Sequence, residues 1–404
     1  MGRQGIENSI KWLLLATFAF ALLFPPISIG EGLPKVELGD VSFILLMGLA
    51  ALFYREELVG FYQRNKFISI VLVAMIVVAM ISIFLNGTYG FLSNLFEPLK
   101  MVRLGCFIFL FYSFFRLEEF MRSIKLIFLA LCGLNALHYF DVLSFNTYVE
   151  VFYAPQHHLD FFGLNSIGQP AAKRMLGTLG NPNNNSVLFL FMLLFFLPKR
   201  NKPIVWDFVF STLAVSGIVM CQSRTGLLAF IVLFLFYAIF IRPRWKIILL
   251  LSCMSCAVYA LNYFAGNAYM STVGDMEVLA RVKEGRMYQW RRIIQSVEGK
   301  WLFGRGVDKE YMRANEIYGE SEYFLGLFRY GLMGLFAQLI LYAYLFFSYL
   351  KKSISKVEIL LPGAVIIFVV TGITNTPLQS PKLSILFALA VGVGLRSLYE
   401  PKEI

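Results

Sequence analysis

Several arginines and acids of this chain stand inside or beside apolar stretches, where their charge is expensive. Arg224 follows Gln222-Ser223 and opens an uncharged run, Arg103 stands at one end of another, and Arg329 directly precedes a third. A charged side chain at the centre of a membrane helix costs about 2.5–3.5 kcal/mol on insertion scales, so each needs a reason. The planar guanidinium fork grips oxyanions such as phosphate with two hydrogen bonds. The plain alternative for Arg224 is an anchor that snorkels to water. Arg329 stands seven residues after Glu322 on the same helical face, about 10 Å along the axis. An ion pair bridged by long side chains or water explains it as well as ligand binding does.

Gly319-Glu320-Ser321-Glu322-Tyr323 places two acids at the start of the span that continues into that third run. A carboxylate there can take the proton of an attacking hydroxyl as a general base, and it can equally complement a helix dipole. Asn181-Pro182-Asn183-Asn184-Asn185-Ser186 reads first as a helix N-cap and second as amides facing a glycan. Asn181 and Asn183, with Arg174 shortly before them, are the candidates for that second role. No metal site is expected. Of three histidines, His157 and His158 are neighbours that a helix points apart, and the acidic pair Asp275-Met276-Glu277 has no nucleotide-binding loop near it.

The elements that must position these residues are membrane helices. Of 404 residues 58% are hydrophobic and 15% charged, with a mean hydropathy of +0.68, against roughly 25% charged in soluble domains. Residues 12–30 and 67–85 are 19-residue runs without a charge, and 330–350 is one of 21. A spanning helix needs about 20 apolar residues. We expect an all-α integral membrane protein, a single polytopic unit over 1–404. Twelve spans are expected, centred near residues 21, 47, 76, 108, 132, 190, 214, 233, 256, 338, 368 and 389. The five cysteines all lie in apolar runs and imply packing, not disulfides.

Nineteen of the 36 basic residues fall in alternate connections if the N-terminus is cytoplasmic, the pattern expected of basic residues retained inside. Both termini are therefore expected in the cytoplasm. The net charge of +11 reads as membrane orientation and not nucleic-acid binding. Two outer connections exceed a turn, 141–181 and 266–320. The second, counted from 266 to 322, holds 9 basic and 9 acidic residues. Within it Met287, Trp290, Ile294, Val297 and Trp301 are spaced 3, 4, 3, 4, one face of an amphipathic helix. Such a helix would rest in the membrane interface with its tryptophans at headgroup level. Arg286 then lies about 60° from the centre of that face and Arg291 about 80° to the other side, while Arg292 points nearly opposite, to solvent. Lipid headgroups or a substrate phosphate suit Arg286 equally.

Four stretches taken together resemble the bacterial O-antigen polymerase and ligase superfamily, often called Wzy-type. They are Leu176-Gly177-Thr178-Leu179-Gly180-Asn181-Pro182-Asn183, then Ser223-Arg224-Thr225-Gly226-Leu227-Leu228, then Gly285-Arg286 with Trp290 and Gly304-Arg305-Gly306, and last Glu320 through Gly331 with Gly334-Leu335. Each is short, but their order and the large loop before the tenth span make the set specific. The resemblance implies a glycosyltransferase that uses a polyprenyl diphosphate-linked glycan as donor, with no cofactor and no required metal. In the ligase branch the helix after the large loop opens with a histidine eleven residues before a glycine. Here Glu320 stands eleven before Gly331, which favours the polymerase branch. The ligase's Ser-Arg motif matches Arg224 and its loop arginine matches Arg286. The paired Arg-x10-Gly pattern of some polymerases is absent, since Val297, Leu302 and Phe303 stand at those places after Arg286, Arg291 and Arg292.

The reading this resemblance implies is an inverting transfer of a nascent glycan from undecaprenyl diphosphate to the terminal hydroxyl of a lipid-linked repeat unit, at the periplasmic face of the bacterial inner membrane. Arg224 and Arg286 would stabilise the diphosphate leaving group and Glu320 would be the base. Arg291, Glu322, Arg329, Arg174, Asn181 and Asn183 would serve the substrate. Its partners would be the lipid-linked oligosaccharide, membrane lipids and a chain-length-determinant co-polymerase. The alternatives are an O-antigen ligase, which passes glycan to lipid A core, and a twelve-span transporter.

Overall fold

A computed structural model describes residues 3–27, 37–88, 92–153, 174–197, 205–240, 251–252, 255, 259, 276–352 and 359–399. Among the described residues the regular structure is helical throughout. Helices α1 (Arg3–Leu23), α2 (Leu38–Phe53), α3 (Arg55–Arg64), α4 (Lys66–Leu85), α5 (Leu92–Phe114), α6 (Leu117–Phe140) and α7 (Phe145–Tyr153) come first. Next are α8 (Pro182–Phe196), α9 (Val205–Met220) and α10 (Arg224–Phe240). After these stand α11 (Met276–Ser296), α12 (Lys309–Ala314), α13 (Glu322–Lys352), α14 (Leu360–Thr371) and α15 (Pro381–Tyr399).

These helices occupy all the expected span positions but the one near 256, which lies outside the described residues. Fewer of them suffice to cross a membrane alone. Gln4–Leu23, Lys66–Leu85, Leu117–Phe140, Glu322–Tyr349 and Pro381–Tyr399 are long and apolar enough. The pair α2 and α3, bent by 93°, makes a sixth if counted as one span. Helices α8, α9, α10 and α14 are apolar but shorter, and α5 carries Glu97, Lys100 and Arg103 in its first half. Helices thus stand at eleven of the twelve expected positions, and among the described residues five or six spans stand on length and composition. The first helix also ends at Leu23, so residue 21 is its last turn and not its centre.

Helices α8 and α15 are buried around almost their whole circumference, the mark of interior helices. Helix α15 packs on α5, α8 on α9, α10 on α14, and α13 on α4. Phenylalanines fill the contacts, with Phe368 stacked on Phe387 at 4.4 Å and Phe128 set against Phe196 at 5.1 Å. At one end of the bundle, side-chain contacts join Lys11 to Glu119, Lys125 to Asp207 and Tyr399 to the carbonyl of Arg64. The opposite end gathers the starts of α8, α10, α13 and α15 and the ends of α9 and α14, as contacts of Arg174, Thr225, Glu322 and Lys382 record.

That second end is built around a break in α13. Gly331 adopts φ 65, ψ −163, a conformation essentially confined to glycine. The carbonyls of Phe328 and Arg329 and the amides of Leu332 and Met333 thereby lose their helical partners. Segment 301–306 takes their place. Arg305 and Gly306 donate to the carbonyls of Phe328 and Arg329 at 2.7 and 3.0 Å, and Leu332 and Met333 donate to those of Trp301 and Leu302 at 2.8 and 3.2 Å. All four orphaned groups are satisfied, as buried backbone requires. The Gly304-Arg305-Gly306 motif is thus a backbone plug, and Arg305 itself caps the carbonyl of Ser296 and covers the Tyr311 ring.

Candidate active site

The excursion before α13 forms a small core of its own, in which Ile293, Val297, Ile317, Leu327 and Phe328 pack with Phe324 and Tyr311. Trp290 stacks on Phe324 at 4.8 Å. The face of α11 that packs is therefore 286, 290, 293, 297, not the expected 287, 290, 294, 297, 301. Met287, Ile294 and Trp301 stay exposed. The correction has a simple cause. Ile293 belongs to a second apolar stripe one residue away, and that stripe meets α13.

This register carries Arg286 onto α13's approach, where its Nε donates to Glu320 Oε2 at 3.3 Å. Side-chain exposures of 30% for Arg286 and 49% for Glu320 leave both open to a ligand. Two residues singled out from sequence thus meet, although Arg286 was expected to point toward the membrane. Arg291 is exposed on the same helix, and Arg292 lies over the Tyr288 ring.

Glu322 is a different kind of acid. It is 3% exposed, its Oε2 accepts from the Leu378 amide at 3.1 Å, and its Oε1 accepts from Gln379 at 3.4 Å. Its own amide donates to the carbonyls of Gly372 and Asn375. Glu322 therefore clamps the 372–379 connection onto the start of α13. Arg329 does not pair with Glu322, as one sequence reading had it. Its guanidinium meets Glu97 Oε2 at 3.1 Å and Gln379 Oε1 at 2.9 Å. Gln379 is the bridge between Glu322 and Arg329, and Glu97 also receives Lys100 at 2.9 Å and Lys309 at 3.6 Å. An acid inside an apolar helix is a signal that could have found Glu97 beforehand.

The asparagine run divides its labour. Asn181 is the N-cap of α8, accepting from the amides of Asn183 and Asn184. Asn183 holds Arg174 at 2.9 Å, while Arg174 Nε donates to the carbonyl of Cys221 at 3.2 Å. Asn184 accepts from Asn375 at 2.8 Å, and Asn185 is buried against Asn135. Ser223 accepts from the Gly226 amide and so caps α10. Arg224 becomes that helix's first residue, with Thr225 hydrogen-bonded to Thr374. Thr374 and Asn375 were not foreseen, and a polar turn between two apolar helices was their only trace, whereas Asn184 stood in the run already singled out. Through Asn375 the chain connects the two groups, since its carbonyl holds Glu322, two residues past Glu320, while its amide reaches the asparagine run. His157, His158 and Asp275 lie outside the described residues.

Residues 209–325 match a family described as O-Antigen ligase. The matched segment contains Arg224, Arg286, Arg291, Glu320 and Glu322. Over that segment the chain is similar to the O-antigen polymerase and ligase superfamily, and the match does not separate the branches. No curated protein matches the chain.

Proposed function

We propose that this protein polymerises lipid-linked repeat units by inverting glycosyl transfer. The observation that carries the reading is the contact between Arg286 and Glu320, which sets an oxyanion receptor beside a carboxylate base on an accessible surface. The acceptor hydroxyl attacks the anomeric carbon of the donor sugar and the carbon–oxygen bond to the undecaprenyl diphosphate breaks. The hydroxyl proton passes to Glu320, and the electron pair leaves with the diphosphate. Arg224 and Arg286 offset the charge developing on that leaving group, with Arg174 and Arg291 as further cations for it. Glu320 in place of the ligase-branch histidine supports the polymerase over the ligase. The ligase remains the second reading because the matched family bears that description. The site would face the periplasm from the inner membrane.

Glu320→Gln keeps size and hydrogen bonding but removes basicity. It should slow polymerisation of lipid-linked repeats by roughly 10²–10⁴ in detergent with chelator present. Near wild-type turnover would remove Glu320 as the base. The branch is decided in a deletion strain. Single repeat units on the final acceptor identify a polymerase, and long chains stranded on the lipid carrier identify a ligase.

A further inference from the structure

We propose that Asn375 and Thr374, in the connection between α14 and α15, join Asn184 of α8 to form a subsite for the sugar portion of the substrate; this rests on the glycosyl-transfer reading above. The connection lies beyond the segment 209–325, and nothing in the sequence assigns it a role.

Its placement is fixed by main-chain contacts. The Asn375 carbonyl accepts from the Glu322 amide at 2.9 Å, two residues from the proposed base. Thr374 is hydrogen-bonded to Thr225, the neighbour of Arg224. A donor whose diphosphate lies at Arg224 and whose anomeric carbon meets the acceptor hydroxyl at Glu320 would carry its sugar beside this turn, which contacts the neighbours of both residues. The side chains there are half-buried amides and hydroxyls without a charge. That chemistry suits neutral polyhydroxylated rings and not a diphosphate.

The amide pair offers a specific complement. Asn375 Nδ2 donates to Asn184 Oδ1 at 2.8 Å, which leaves Asn375 Oδ1 as an acceptor and Asn184 Nδ2 as a donor among the described residues. A sugar hydroxyl both donates and accepts, so the hydroxyls of a ring can engage either atom. Asn181 and Asn183 cannot serve in the same way, being committed to the cap and to Arg174. The turn itself is held by backbone groups, with Ser321 Oγ and the Glu322 amide both donating to Gly372. Truncating Asn375 or Asn184 therefore removes the recognition atoms without releasing the connection.

The test compares two probes on the full-length protein in detergent. One is undecaprenyl diphosphate without sugar, the other the undecaprenyl diphosphate-linked repeat unit. Asn375→Ala and Asn184→Ala should each weaken binding of the glycan-bearing probe about fivefold, the worth of about one hydrogen bond, and leave the bare carrier unaffected. Arg224→Ala should weaken both. The subsite is overturned if both asparagine variants, folded by their thermal transition, bind the two probes as the wild type does or lose both equally. Should the wild type bind neither probe, the functional reading fails and the subsite with it.

Discussion

The Arg286–Glu320 pair and the Glu97 cluster use the same charges at nearly the same separations, 3.3 Å and 3.1 Å. They differ in surroundings. Glu97 is 3% exposed and its two oxygens are shared among Arg329, Lys100 and Lys309, with Gln379 carrying the network on to Glu322. No ligand could displace one member without leaving charge buried. Among the described residues the Glu320 side chain meets only Arg286, and half of it lies in the open. The first arrangement fixes where α5, α12 and α13 meet. The second can exchange a protein partner for a substrate at little cost, because exposed pairs contribute only about 0–1 kcal/mol. A charge beside an apolar span is thus a frame or a tool according to how many partners it has.

The sharpest way to break this contrast is Glu97→Gln. It leaves Arg329 and Lys100 facing a neutral amide in a buried setting, and removing one partner of a buried pair costs about 3–5 kcal/mol. Thermal unfolding in detergent should show a large loss of stability or little folded protein. Glu320→Gln should leave the transition within about 1 kcal/mol of wild type while activity falls. A Glu97→Gln protein as stable as wild type would dissolve the distinction.

The next effect concerns the plug that supports both groups. A Cβ on Gly331 would fall 2.4 Å from the Leu302 carbonyl oxygen and 2.5 Å from the Gly304 amide nitrogen, at a positive φ that alanine disfavours. Gly331→Ala should cost at least about 1–3 kcal/mol and undock segment 301–306, read as faster proteolysis between Lys300 and Arg305. Unchanged proteolysis would mean that α13 tolerates a continuous helix there and that the segment is held elsewhere.

Much of this was legible in the sequence. Uncharged runs located α4, α13 and most other helices, because hydrophobic length is written locally. Arg224, Glu320 and Glu322 were singled out because charge beside an apolar run is conspicuous, and Arg286 by its place on an amphipathic helix and by the family resemblance. Which acid is accessible was not legible. Glu320 and Glu322 are two residues apart, and only the arrival of Leu378 and Gln379 from a distant connection buries the second. The register of α11 was misread for a related reason. Ile293 and Ile294 are equally apolar, and the choice between them is made by Phe324 and Phe328 across the contact. Gly331 looked like a helix residue since nothing near it reveals that 301–306 supplies its neighbours' hydrogen bonds.

The smallest expected effect tests that register. Arg292 directly precedes Ile293 but lies about 130° around the helix from the packed stripe, and its described contact is with the Tyr288 ring on its own helix, 5.4 Å from the centroid. An exposed cation–π contact contributes about 0.5–1 kcal/mol, so Arg292→Ala should change stability by no more than that and leave polymerisation near the wild-type rate. Arg286→Ala, on the stripe and against Glu320, should lose chain extension while the protein stays in the membrane, and Arg286→Lys should recover only part of it because an ammonium lacks the two-pronged fork. The comparison is internal to one helix, so differences in expression or lipid surroundings cancel. If Arg292→Ala were the inactive variant and Arg286→Ala the active one, the face of α11 that meets α13 would not be the face that meets substrate, and the accessible pair would lose its claim as the reactive one.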